Sequence, residues 1–180
     1  MSRLTVPARE TAPAASKPLL DAVDKQLGVV PNLFRLVGTS PAALDGLLAL
    51  SGALAKTLDV GTRERIAIAT AEVNGCDYCL SAHTSLGLNV AKLDEAEVAL
   101  NRKGRSQDAK ADAVVAFAAK VARQRGKVSD TDIAAVKLAG FGDAQVIEIV
   151  ASVALNMLTN FINNVAETEI DFPVVRAEAA

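Results

Sequence analysis

Helix start and stop signals recur along the chain and constrain its fold more than any other feature. Ser40-Pro41 places an N-cap residue before a proline at the first helical position. Ser129 followed three residues later by Asp132 resembles a capping box, and Gly140 is a typical helix stop. Between such signals, leucine, valine and alanine recur at helical spacing. The sequence therefore predicts an all-α protein.

Composition supports the same class. The 180 residues are 51% hydrophobic but only 3% aromatic, which suits close helix packing better than a β-sandwich. A chain of this length is most simply one domain. We predict a compact helical bundle over residues 18–180, preceded by a flexible or draped arm over residues 1–17 that is rich in proline, alanine and serine.

Local signals also predict where the main helices lie. Residues 62–73 should form the helix that leads to the cysteines and ends at Asn74-Gly75. The helix after the cysteines should end near residues 86–87, and Asn89 should cap the next one. Asp143 should cap a long apolar helix, and the tail after Glu169 should be extended.

A weak internal repeat in the sequence predicts a duplicated helical hairpin. At a constant offset, Asp59, Glu64, Cys76 and Cys79 align with Asp143, Glu148, Asn160 and Asn163. Few identities support the alignment. A second copy of this kind would carry no thiol chemistry.

Charge and hydropathy exclude several classes of partner. Nineteen basic and twenty-one acidic residues give a net charge of −2, and no lysine or arginine block indicates a nucleic-acid or membrane surface. No uninterrupted apolar run reaches the roughly 18 residues of a spanning helix, nor does a signal-peptide stretch follow Arg3 and Arg9. We expect a cytoplasmic protein. The high mean hydropathy of +0.26 indicates subunit contacts and hence a homo-oligomer.

The two cysteines and the single histidine lie within eight residues of each other, Cys76 to His83. In a reducing cytoplasm, a C-x-x-C pair is more often catalytic or metal-binding than a structural disulfide. Residues three and four apart share a helix face, so Cys76, Cys79 and His83 can form a row. A helix N-terminus and a neighbouring base both favour the thiolate, which is the reactive form of cysteine.

This arrangement predicts thiol redox chemistry. One thiolate would attack a peroxide oxygen, release an alcohol and become a sulfenic acid, which the second cysteine would convert to a disulfide. An external dithiol would then restore both thiols. Spacing to His83 favours Cys79 as the attacking residue, whereas helix-terminal C-x-x-C sites commonly activate the first cysteine, here Cys76. We choose Cys79.

A carboxylate could orient His83 and help to supply the proton that the leaving alkoxide requires. Glu64 is our candidate because it begins an apolar stretch of the preceding helix, and Glu72 is the nearer rival in sequence. Glu64 could equally be an ordinary ion-pair partner of its arginine neighbours.

Three other interpretations of the motif remain open. The cysteines and His83 could be buried core residues, or they could bind zinc with Glu64 or Glu72 as a fourth ligand in an interaction module. The motif could also be a non-catalytic thiol redox sensor. Tyr78 could shape a peroxide entrance or cover the thiols. For the asparagine cluster we prefer a structural role; its members are Asn156, Asn160, Asn163 and Asn164.

The segments described so far carry a resemblance to a known family. Glu64, Cys76, Cys79 and His83 resemble the E-x11-C-x-x-C-x3-H signature of alkylhydroperoxidase D-like proteins of the carboxymuconolactone decarboxylase superfamily. Residues 30–35, 159–164 and 168–173 resemble its peroxidase-related branch. Nearly the whole chain is covered. Some family members have a histidine between the cysteines, where this chain has Tyr78.

The resemblance implies a thiol-dependent peroxidase that reduces organic hydroperoxides. It implies an all-α fold, homo-oligomers and no prosthetic group, with Cys79 attacking, Cys76 resolving, and Glu64 and His83 relaying protons. It also implies a dithiol reductant such as a dihydrolipoyl protein, with electrons passing on to a peroxiredoxin system. The superfamily offers a second enzyme class, the cofactor-free lactone decarboxylases, but these do not need the cysteine pair.

Overall fold

Residues 2–178 are described by the computed structural model, and they form nine α-helices and two short 3-10 turns, with no β-strand among them. The predicted all-α class is confirmed. The first residue of the predicted arm and the last two of the predicted domain lie outside the described range. The helices are α1 (Lys17–Leu27), α2 (Asn32–Val37), α3 (Pro41–Leu54), α4 (Val60–Val73), α5 (Asp77–Asn89), α6 (Glu95–Arg102), α7 (Ala109–Gln124), α8 (Asp130–Leu138) and α9 (Asp143–Ala166).

Two of the predicted helix starts are as expected. The Ser40 hydroxyl accepts a hydrogen bond from the backbone N–H of Ala43 at the start of α3. Ser129 and Asp132 form a complete capping box at the start of α8. In both helices a side chain satisfies a backbone donor that the helix itself leaves free.

Three predicted helix boundaries are wrong because another residue occupies the N-cap position. Helix α4 begins at Val60 and not at residue 62, since Asp59 Oδ1 accepts the backbone N–H of Thr62 at 3.0 Å. Asn89 ends α5, and it is Asp94 that caps α6. Helix α9 has Gly142 rather than Asp143 at its N-cap.

Helix α4 lies at the centre of the molecule and packs against α5, α6, α7 and α9. Its residues 66–71 are all buried, as expected for a helix that is covered on every side. Ile66 packs into a core shared with α7 and α9, whereas Ile68 packs into a core shared with α5 and its cysteines. Glu64 and Glu72 lie on either side of this buried segment of α4.

Helix α9 is 24 residues long, which corresponds to about 36 Å. Within residues 2–178 it is the one helix that could cross a membrane by length and composition alone. It is nevertheless a packed helix of the fold, because it contacts α3, α4, α5, α7 and α8 and buries Ser152, Asn156 and Asn160. It also runs unbroken through Asn160 and Asn163, so the break before the cysteines has no counterpart in the proposed second copy.

Both ends of the described chain lie along the helices. In the N-terminal arm, the backbone N–H of Arg3 donates to the carbonyl of Ala166 at 2.6 Å, and Ser16 Oγ donates to the carbonyl of Gly38 at 2.7 Å. Residues 168–178, called the C-terminal strap below, are extended as predicted and fold back over α5, where the N–H of Val175 donates to Ser81 Oγ at 2.9 Å.

Candidate active site

The two cysteines lie at the start of α5, where the chain turns sharply after α4. Gly75 makes this turn with a φ of +60°, a left-handed conformation that favours glycine. Cys76 is the N-cap of α5, and its Sγ accepts the backbone N–H of Cys79 at 3.3 Å. The predicted break at Asn74-Gly75 thus brings both sulfurs to the positive end of a helix dipole.

Both thiols are reduced and buried, with Cys76 0% and Cys79 2% exposed, but they differ in acidity. A hydrogen bond from the Cys76 thiol, the positive charge of His83 and the amide of Asn163 outweigh the effect of burial and lower the pKa of Cys79 to about 7. The contact with Cys79 and burial raise the pKa of Cys76. These environments favour Cys79 as the thiolate and Cys76 as its proton-bearing neighbour.

His83 and Glu64 form a direct pair between α5 and α4. His83 Nδ1 lies 2.8 Å from Glu64 Oε2, and the two side chains are only 23% and 12% exposed. Burial alone would lower the pKa of His83, but the Glu64 carboxylate and the Cys79 sulfur together raise it. The four residues chosen from the sequence therefore form two hydrogen-bonded pairs, Glu64 with His83 and Cys76 with Cys79, and His83 lies close enough to Cys79 for each to shift the pKa of the other.

The rival carboxylate Glu72 lies elsewhere. Its Oε2 accepts a hydrogen bond from Arg102 Nε at 2.6 Å, and its Oε1 accepts one from the backbone N–H of Glu178. Both oxygens are thus used to join α4 to α6 and to the C-terminal strap. The Glu72 alternative for a proton relay has no support in this geometry.

Tyr78 joins three parts of the chain and is 4% exposed. Its hydroxyl oxygen accepts the backbone N–H of Leu33 at 3.0 Å, and its ring packs edge-on against Phe172 of the strap. Burial raises the pKa of Tyr78, so the phenol stays neutral. The side chain lines the cavity described below and covers one side of the thiol pair.

Asn163 contacts the thiols from α9. Its Nδ2 donates to Cys79 Sγ at 3.2 Å. One helical turn earlier, Asn160 accepts a hydrogen bond from Asn74 Nδ2 at 2.9 Å. The structural role that we preferred for these asparagines therefore does not describe Asn163, although it fits Asn156, which donates to the carbonyl of Ser152 in its own helix.

An open cavity of about 580 Å³ lies at the start of α5, where Asp77 and Tyr78 line it beside the cysteines. Asn163 and Tyr78 line it on the inner side, and strap residues such as Ile170, Val174 and Arg176 line the other. Arg176 donates to Asp77, the residue between Cys76 and Tyr78, at 2.6 Å. The strap thus forms part of the entrance, which no local sequence signal predicted.

The predicted zinc alternative has no matching set of ligands in residues 2–178. No group of three or more His, Cys, Asp or Glu side chains is arranged to hold a metal ion there. Glu64 is engaged with His83, and Glu72 with Arg102. The donors that a four-ligand zinc site would need thus point to other partners.

The geometry agrees with comparisons with known proteins. The sequence profile of the carboxymuconolactone decarboxylase family matches residues 41–124, which contain all four of the chosen residues. A crystal structure described as an alkylhydroperoxidase AhpD core, from a peroxidase-related protein of Ralstonia eutropha JMP134, has a TM-score of 0.83 and 28% identity, over 94% of this chain and 92% of that one. Residues 41–124 thus carry the domain of this family, and the chain has the alkylhydroperoxidase D-like fold.

Other structures share this fold at lower identity. A peroxidase-related protein of Silicibacter sp. TM1040 is 21% identical with a TM-score of 0.80, over 93% of this chain and 91% of that one. A Cys-to-Ala variant of the debrominase Bmp8, solved with 2,3,4-tribromopyrrole, is 18% identical with a TM-score of 0.79, over 95% and 94%. The fold therefore serves more than one chemistry. A comparison with curated proteins gave no match.

Proposed function

We propose that this protein is a thiol-dependent peroxidase that reduces organic hydroperoxides through a Cys76–Cys79 dithiol/disulfide cycle. The observation that carries the proposal is that Cys79 lies close to the hydrogen-bonded pair of His83 and Glu64. A thiol pKa of about 7 makes a large share of Cys79 nucleophilic near neutral pH. The adjacent His83–Glu64 pair, at 2.8 Å, can hold and return a proton.

In the first step, the Cys79 thiolate attacks the terminal oxygen of the hydroperoxide. A sulfur–oxygen bond forms while the oxygen–oxygen bond breaks, and the electron pair leaves on the alkoxide. The imidazolium of His83, held by Glu64, supplies the proton that converts the alkoxide to an alcohol. Cys79 is left as a sulfenic acid.

In the second step, the Cys76 sulfur attacks the Cys79 sulfenic acid, water leaves and a disulfide forms. A dithiol reductant then returns two electrons and two protons to the protein. We assign this part to a dihydrolipoyl protein, or to a chain of thiol proteins that includes a peroxiredoxin. The cycle needs no prosthetic group and suits the reducing cytoplasm, where such donors operate.

Other assignments explain less of the site. A cofactor-free lactone decarboxylase would not require the two buried thiols or the low pKa of Cys79. A thiol sensor would use the cysteines, but it gives no reason for the buried pair of His83 and Glu64. A zinc-stabilised interaction module would require ligands that are engaged elsewhere.

Turnover of cumene hydroperoxide with dihydrolipoamide or dithiothreitol tests the proposal. We expect wild type to turn over, Cys79→Ser to be inactive, and His83→Ala to be slowed by about 10²-fold because the proton transfer is lost. When the reductant is left out, Cys76→Ser should consume about one equivalent and stop at a sulfenic acid that dimedone traps at Cys79.

The cysteine variants control for each other, since each removes one buried sulfur and only one of them should abolish the first step. Full activity in Cys79→Ser would contradict the mechanism. Stoichiometric zinc whose removal unfolds the protein would support the interaction module instead.

A further inference from the structure

The amide of Asn163 has one free end beside the reacting sulfur. Its Nδ2 donates to Cys79 Sγ at 3.2 Å, while its Oδ1 is buried and has no hydrogen-bond partner within residues 2–178. Asn163 is only 2% exposed, so burying an unpaired acceptor there costs free energy. An unpaired buried polar atom of this kind calls for an explanation.

The orientation of the amide follows from the chemistry of the sulfur. A thiolate accepts hydrogen bonds and cannot donate them, so it selects Nδ2 and turns Oδ1 away from itself. Because Oδ1 and Nδ2 are attached to the same carbon, a donor bound at Oδ1 lies next to Sγ. Asn163 is also one of the residues that line the cavity of about 580 Å³, so this position lies next to space that a ligand can enter.

Asn160 completes the surroundings of the sulfur. Its Oδ1 is fixed by the amide of Asn74 at 2.9 Å, which leaves its Nδ2 buried and without a partner among the described residues. The amides of both Asn163 and Asn160 lower the pKa of Cys79. Two successive turns of α9 thus place amide groups beside one thiolate, and Asn163 is the one that bonds to it.

We propose that Asn163 is a further catalytic residue, whose Nδ2 holds the Cys79 thiolate while its Oδ1 accepts a hydrogen bond from the O–H of the hydroperoxide. This proposal rests on the function proposed above and specifies how the substrate is aligned. A bond from the O–H group to Oδ1 brings the terminal oxygen to Sγ and turns the oxygen–oxygen bond away from it, as displacement requires.

The same contact serves the product of the first step. Once the sulfur–oxygen bond has formed and the alkoxide has left, the sulfenic acid keeps the O–H of the original peroxide. That O–H remains bonded to Oδ1, so the oxygen stays in place until Cys76 attacks and water leaves. A peroxide without an O–H group, such as a dialkyl peroxide, lacks this contact and is not a substrate.

Two reagents measure the roles of Asn163 Nδ2 and Oδ1 separately in the full-length protein. N-ethylmaleimide modifies the thiolate but has no hydrogen-bond donor, so its rate at Cys79, located by mass spectrometry, reports Nδ2 alone. Cumene hydroperoxide consumption reports both ends of the amide. The variant is Asn163→Leu, which keeps the size of the side chain and removes both polar atoms. Asn156→Ala is the control, since Asn156 lies on the same helix and bonds only within it.

We expect Asn163→Leu to shift the pH profile of maleimide modification upward and, at neutral pH, to slow it by about tenfold. At a pH above the thiol titration of both proteins, modification should recover to within about twofold of wild type. Peroxide consumption should stay about tenfold slower there, because Oδ1 is still missing. Asn156→Ala should match wild type in both assays.

An unchanged maleimide profile in Asn163→Leu would overturn the role of Nδ2, and full recovery of peroxide consumption at high pH would overturn the role of Oδ1. If Asn163→Leu loses its helical circular dichroism, Asn163→Ser removes the amide without adding apolar bulk and decides the same two points. A wild type that consumes no hydroperoxide would refute the proposed function, while the maleimide assay would still decide the thiolate contact.

Discussion

At the scale of single residues, one charge controls the state of the only histidine. His83 is buried beside Glu64, and burial without a counter-charge would favour its neutral form. The carboxylate 2.8 Å from Nδ1 reverses this preference and favours the imidazolium that the proposed mechanism requires. Because the chain has one histidine, its titration can be followed without assignment.

We expect Glu64→Gln to lower the pKa of His83, measured from the imidazole carbon-bound proton by NMR. The raised native pKa contributes stability that is fully present below the unfolded value and is lost as pH rises through the native one. Glu64→Gln should therefore destabilise the protein more at pH 6 than at pH 9. Glu72→Gln is the matched control, since Glu72 bonds to Arg102; an equal shift of His83 there would contradict the assignment.

At the scale of helices, local sequence signals predicted which helices exist. They were less successful in predicting where each helix begins and ends and which other elements it contacts. The capping box at Ser129 and the break at Gly75 were visible because each acts over a few residues. Asn89 failed as a cap because Asp94 occupies the N-cap position of α6. Which of two possible capping residues begins a helix depends on how the helix packs, and the identity of a single residue does not reveal that packing.

The main features that the sequence did not predict are contacts between residues far apart along the chain. Asn163 and Cys79 are 84 residues apart, and no periodicity in either helix predicts that they touch. The offset that suggested a duplication is the same 84 residues, and it was the one available sign that these positions face each other. His83 followed from its spacing to the cysteines and Glu64 from its place before an apolar stretch, and the family signature then strengthened the choice of Glu64.

Glu97 ties α6 to α4 and to the following loop. Its carboxylate accepts hydrogen bonds from Arg65 Nε at 2.7 Å, from Ser106 Oγ at 2.6 Å and from the backbone N–H of Gln107 at 2.8 Å. Although burial opposes the charge, these donors lower the pKa of Glu97 to about 2. The charge therefore stabilises the fold at neutral pH.

We expect Glu97→Gln to lower the free energy of unfolding by about 2 kcal/mol at pH 7, because its amide N–H₂ would face other donors. A lowered native pKa contributes stability above the unfolded value that is lost as pH falls towards about 2, so the difference from wild type should shrink by pH 3. Urea unfolding at both pH values measures this. Glu95→Gln, on the exposed side of α6, should be neutral; a constant difference at both pH values would refute the electrostatic cause.

At the scale of the whole molecule, α9 has two contrasting sides. Its inner side carries the asparagines that reach the thiols. Its outer side exposes one apolar stripe, whose successive large members are three, four or eight positions apart. The exposed members include Ile147, Val150, Leu158, Phe161 and Val165. An apolar stripe of this kind is typical of a protein interface, and we propose that it forms a subunit contact of a homo-oligomer.

We expect Phe161→Glu, which places a charge in this stripe, to dissociate the oligomer, as measured by sedimentation velocity at micromolar concentration. Phe161 is 51% exposed in the single chain, so the change should leave the fold intact. Val90→Glu, at a 57% exposed site beyond the end of α5, is the control and should not change the mass. A wild type that sediments as a monomer would refute the proposal.

The position of Tyr78 has a practical consequence. The chain contains no tryptophan and one tyrosine, and that tyrosine lies between the two cysteines, buried and packed against Phe172. Intrinsic ultraviolet fluorescence of the unlabelled protein therefore comes from the redox motif itself. If the proposed cycle operates, each passage between dithiol and disulfide should alter the first turn of α5, and stopped-flow emission should follow single turnovers in a chain with no other tyrosine or tryptophan.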